Sequence, residues 1–249
     1  MGIDEPGRGV KEDVMSWTAE RYQNYIAELK SQGDAKYREF TEKIVSTKYP
    51  IIGLRMPFLK KEAKKISRDD PESFLSCVRS DTYEEVLLEA LVIANITDLD
   101  TYLSYFDSFL DKIDNWAVCD TLVSSSKIMS KERNCFFRKG RILIRSKEPF
   151  VARVGFVIFL THCVTGHYPK QMFPLITHYQ SDSYYVGMAI AWLLSVLLID
   201  FYDETKVYLE ENHLSKFILQ KTVSKACDSY RLSKEQKDEL RALKKRLIH

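Results

Sequence analysis

Apolar residues recur at three- and four-residue spacing along almost the whole chain, as in YEEVLLEALVIA (83–94) and FILQKTVSKACDSY (217–230). That is the helix period, and no stretch alternates apolar and polar residues long enough to form a half-buried strand. Only 9 glycines and 7 prolines interrupt 249 residues. The breaks are therefore short turns, and the chain reads as all-α with about twelve to fourteen helices. Pro57, Pro71 and Pro149 each stand where a helix should begin, because proline in the first turn loses no intrahelical bond. Asp81 with Glu84, and Ser233 with Gln236, have capping-box spacing. Pro174 falls inside YPKQMFPLITHY and is expected to break or kink that helix.

Many medium helices joined by short turns fold either as an irregular bundle or as a stack of helical pairs. The helices around Trp116, Arg153 and Trp192 are separated by 37 and 39 residues, close to the ~40 of HEAT or armadillo pairs. The spacing thus predicts an all-α, HEAT-like helical-repeat solenoid whose equivalent helices line one concave face. Residues 1–11 read as a disordered leader and 12–249 as a single repeat domain. The run YYVGMAIAWLLSVLLI (184–199) carries no charge, but it is sixteen residues long and Asp182 and Asp200 close it. A membrane span needs roughly 20 apolar residues, so this reads as a buried helix of a soluble protein with no membrane partner.

Five scattered cysteines with no CxxC pair fit reduced thiols in a cytoplasmic protein rather than a disulfide framework. The five histidines show no metal spacing, so no metal is expected. The polar start has no apolar signal segment, and Gly-Arg-Gly at 7–9 lacks the context of a phosphate loop. His162 and Cys163, adjacent in sequence, point to different faces of a helix and make a poor nucleophile pair. SSSK (124–127) reads as a helix end.

Charge is nearly balanced, 37 Lys+Arg against 35 Asp+Glu, and so names no partner by itself. Its distribution says more. Basic runs occur at LKKEAKKISR (59–68), KERNCFFRKGRILIRSK (131–147) and KKR (244–246). One such run is ordinarily a solvated helix face; three can build a basic groove, with Lys60, Lys61 and Lys64 as DNA contacts.

Arg153 is the only charge within PFVARVGFVIFL, so it must be paired or must face a groove. Trp192 lies in the most apolar helix. Trp116 and Asp120 stand four residues apart, on one helix face. Singly, each reads as structural: two core indoles, a paired arginine, a surface acid. Together, one repeat apart, they would set two aromatic faces, a carboxylate and a guanidinium on one wall.

DNWAVCD (114–120), EPFVARVGFVIFL (148–160) and DSYYVGMAIAWLLS (182–195) resemble, in this order and spacing, the DNA alkylation repair family of HEAT-like repeat DNA glycosylases. IIGLRMPFLKKEAKKI (51–66) is similar to the family's N-terminal helix start, and residues 208–245 to its C-terminal repeat. The resemblance implies a monomeric enzyme that binds duplex DNA carrying alkylated bases. It would remove N3- or N7-alkylated purines without a cofactor or an obligate protein partner. It implies that Asp120 is the catalytic carboxylate, Trp116 and Trp192 the aromatic walls, and Arg153 a phosphate contact. Tyr37 or Phe40, within 34–50, matches an aromatic that reaches toward the lesion. An alkylated purine is already cationic and leaves without a general acid, so the chemistry needs a carboxylate beside the oxocarbenium-like sugar. Two other readings stay open: a non-catalytic nucleic-acid-binding paralogue, and a protein–protein scaffold.

Overall fold

The computed structural model of the chain describes residues 16–179, 182–211 and 214–248. The expected leader (1–11), with its Gly-Arg-Gly, lies outside the described residues. Among those described there are fifteen α-helices, one 3-10 turn, one π turn and no strand. The fold is all-α, with slightly more helices than the turn signals predict.

The chain divides into two compact units. The first comprises the residues up to Glu42 and Tyr49–Val92. It contains α1 (Ala19–Ser31), most of α2 (Ala35–Ile44), α3 (Met56–Arg68), α4 (Pro71–Cys77) and most of α5 (Tyr83–Ala94). Trp17, Tyr22 and Phe74 pack edge to face or tilted in its core. The N-cap of α5 is Thr82, one residue later than the spacing suggests: its hydroxyl accepts from Glu85 N at 3.4 Å and donates to Glu85 Oε2 at 2.7 Å.

Glu84 is thereby released for another task. Its carboxylate is buried and accepts the backbone N–H groups of Ile52, Gly53 and Leu54 at 2.8, 2.7 and 3.1 Å. Gly53 has φ +97°, and a Cβ there would strike the Asp34 carbonyl oxygen. Only glycine fits this bend. Glu84→Ala is expected to cost about 2–4 kcal/mol, since three buried donors lose a charged acceptor. A lower urea midpoint at unchanged slope checks this.

The second unit comprises Lys43–Lys48 and the residues from Ile93 onward. It holds α6 (Leu99–Phe109), α7 (Trp116–Ser125), α8 (Lys127–Lys131), α9 (Arg133–Leu143) and α10 (Pro149–Ile158), which runs into the π turn Phe159–Cys163. Then follow α11 (Tyr168–Thr177), α12 (Tyr184–Asp200), α13 (Tyr202–Glu211), α14 (Lys216–Asp228) and α15 (Lys234–Ile248). Helices α7, α10, α12 and α14 lie side by side in chain order, while α9 packs on α10, α13 on α12 and α15 on α14. Stacked helical pairs of this kind are what the ~40-residue spacing predicts.

Local signals mostly act as expected. Pro57, Pro71 and Pro149 sit in the first turns of α3, α4 and α10. Ser233 and Gln236 form a reciprocal capping box, Ser233 N donating to Gln236 Oε1 at 2.9 Å and Gln236 N to Ser233 Oγ at 3.2 Å. Pro174, however, does not end α11, which continues to Thr177. The uncharged run forms α12, whose apolar side chains are buried nearly all round. No helix among the described residues is long and apolar enough to cross a membrane.

Candidate functional site

Helix α7 begins at Trp116 because Asn115, buried, caps it by accepting from Val118 N at 3.0 Å. The preceding Asp114 accepts from Thr47 Oγ1 at 3.0 and 2.8 Å and from Lys48 N at 2.6 Å. Trp116 Nε1 donates to the Ile44 carbonyl at 3.2 Å. Residues 44–48, directly after α2, are therefore tied to the start of α7. Trp116 opens this helix and is half-buried, its indole fixed by that one hydrogen bond.

One turn further along α7, Asp120 meets Arg153 of α10. Arg153 Nε donates to Asp120 Oδ1 at 3.0 Å and Nη2 to Oδ2 at 2.7 Å, a two-pronged pair. Nη1 donates to the Tyr185 carbonyl, in the first turn of α12, at 2.7 Å. Three of the five guanidinium N–H groups are thus engaged. The pair has a direction: the arginine side chain is 6% exposed and the carboxylate 21%. Burial lowers the Arg153 pKa, but the hydrogen bonds and charge of Asp120 outweigh it and leave the pKa raised. The guanidinium is therefore a fixed positive charge behind a solvent-facing carboxylate. Cys119 beside it is buried, and burial first, then the Asp120 charge, pushes its thiol well above the ordinary range.

Tyr185 and Trp192 are seven residues apart, two turns on the same side of α12. Trp192 is 36% exposed, unlike the buried residues on either side of it. It is not a core indole. Asp120 of α7 is thus paired with Arg153 of α10, Trp116 stands one turn before Asp120, and Trp192 is exposed on α12, the next helix of the row.

The remaining expected residues lie in the first unit. Tyr37 is half-buried, stacked on Phe40 at 6.2 Å, with the Arg55 guanidinium 4.7 Å from its ring centre. Phe40, 55% exposed, is the freer of the two rings. Lys60, Lys61 and Lys64 stand exposed on α3, opposite buried Leu59, Ala63 and Ile66.

His162 lies in the π turn that ends α10. Its Nε2 donates to the Val123 carbonyl of α7 at 2.8 Å, and Nδ1 meets Ser130 Oγ at 2.7 Å. The ring joins the two helices that carry Asp120 and Arg153. Cys163 is buried, and that burial pushes its thiol up to about 12. Burial lowers the His162 pKa, the Val123 carbonyl opposes this, and the Arg133 charge lowers it further. Folded, the ring binds fewer protons than unfolded, so its contribution is full above the unfolded pKa near 6.5 and is lost as pH falls. His162→Gln is expected to flatten the fall in stability between about pH 7 and 5, by at most about 1.4 kcal/mol per pH unit. Urea titrations of both proteins across that range check it.

A cleft of about 770 Å³, lined by Ile144, Arg145, Lys147, Pro174 and His178 among others, includes none of Trp116, Asp120, Arg153 and Trp192. Among the described residues, no group of three or more His, Cys, Asp or Glu side chains is arranged to hold a metal ion. Sequence reasoning missed Asp114, Tyr185 and two lysines of α14, Lys221 and Lys225. Only the lysines left a signal, the four-residue spacing of Phe217, Lys221 and Lys225.

The profile described as DNA alkylation repair enzyme covers residues 25–225, which contain all of the residues above. No curated protein matches the chain.

Proposed function

Because the chain belongs to the DNA alkylation repair enzyme family, we propose that it is a DNA glycosylase that hydrolyses the N-glycosidic bond of N3- or N7-alkylated purines in duplex DNA. The observation that carries this reading is the Asp120–Arg153 pair, carboxylate outward and guanidinium buried, with Trp192 exposed on the neighbouring helix α12.

The alkylated base carries a positive charge, so the C1′–N bond breaks with its electron pair going to the base, which leaves neutral. The sugar is left cationic. Asp120 stabilises that charge and orients a water; the water oxygen bonds C1′ and its proton passes to solvent. Arg153, buried behind it, prevents the carboxylate from rotating away. Trp116 and Trp192 offer indole faces to the sugar and the cationic base. The exposed Phe40 of α2, one of the two rings that match an aromatic reaching toward the lesion, supports this reading.

Duplexes carrying either N7-methylguanine or O6-methylguanine separate this mechanism from others. The cationic N7 adduct is expected to be released and the neutral O6 adduct retained, as read by chromatography of free base. Equal release of both would mean that a general acid operates and that this mechanism is wrong.

A further inference from the structure

Trp192 does not stand bare. The Lys225 ammonium lies 5.6 Å from the centre of its ring. One turn back along α14, Lys221 lies 5.9 Å from the ring centre of Phe217, which packs against Tyr184 at 5.4 Å. Tyr184 contacts Tyr185, whose carbonyl holds Arg153. Gly187 lets the two helices approach, since a Cβ there would sit 3.0 Å from the Phe217 ring. Tyr184 and Trp192 of α12 thus lie beside a lysine ridge of α14. Both lysines are half-buried along their stems, and neither forms an ion pair among the described residues.

A cation on the indole occupies the π face that a cationic base would need, and such a contact is weak at an exposed site. Backbone phosphates offer the ammonium a full negative charge. Resting on the DNA reading above, we propose that the lysine ridge of α14 is a backbone-binding element that also uncovers the site. Lys225 caps Trp192 in the free protein, moves to a phosphate oxygen when duplex DNA binds, and leaves the indole open to the cationic base. Lys221 takes a neighbouring phosphate.

The test measures binding of the full chain to unmodified duplex and to duplex with one N7-methylguanine, over a range of KCl, for wild type, Lys225→Gln and Lys225→Arg. The Gln variant is expected to weaken both duplexes by the same factor and to reduce the slope of log K against log salt by about one. Lys225→Arg is expected to restore that slope. An unchanged slope with tighter binding of the methylated duplex would overturn the proposal, since Lys225 would then stay on the indole as a competitor. If Lys225→Gln fails in this way while wild type still releases methylated base, only the lysine role falls. If wild type binds neither duplex, the glycosylase reading falls with it.

Discussion

Asp120→Asn lowers the rate of alkylpurine release by about 10²–10³-fold, the range found when one preorganised electrostatic group is removed from a transition state. The exchange keeps the size of the side chain and one acceptor oxygen for Arg153. It removes the negative charge and sets an NH₂ against a guanidinium donor. The loss falls on the chemical step because the sugar is cationic only as the bond breaks, whereas the duplex backbone meets the lysines before that. Loss of either indole costs less, since a cation–π contact at an exposed position is worth about 0.5–1 kcal/mol. Single-turnover base release at saturating protein, beside equilibrium duplex binding, checks both halves of this expectation.

The second large effect is on stability, and it is asymmetric. Asp120→Ala strands a guanidinium that is only 6% exposed and cannot lose its charge. A cost of about 3–5 kcal/mol is expected for that uncompensated buried cation. Arg153→Met leaves a carboxylate that is 21% exposed and open to water, while the thioether chain fills the vacated space. Its cost is expected to be smaller, about 1–2 kcal/mol. Asp120→Leu combined with Arg153→Met should recover most of the loss, because an apolar pair needs no charge compensation. Urea unfolding of the two single variants and the double variant measures the coupling. Equal costs for the two single changes would mean that the pair lacks the inward–outward polarity on which the proposed chemistry depends.

The sequence made the row of α7, α10 and α12 legible because their apolar patterns repeat at nearly constant spacing and little glycine or proline intervenes. That Arg153 must be paired or face a groove was legible for a related reason, since a lone charge in a buried helix needs compensation, but that Asp120 is its partner was not. The Glu84 cradle was not legible, since Asp81–Glu84 and Thr82–Glu85 have the same spacing and only the bend at Gly53 decides between them. The latch of Asp114 on Thr47 and Lys48 joins segments 66 residues or more apart, beyond any local pattern. Trp192 read alone as a core residue; its exposure follows from which side of α12 its neighbours leave open. Pro174 was expected to break or kink α11; it does not break the helix, which persists for three residues past it.

The most direct measurement is product analysis after a single turnover of wild-type protein, at saturating concentration, on a duplex with one N7-methylguanine. The account predicts free N7-methylguanine and an uncleaved strand with an abasic site. A duplex that is bound but keeps its methylated base would contradict it.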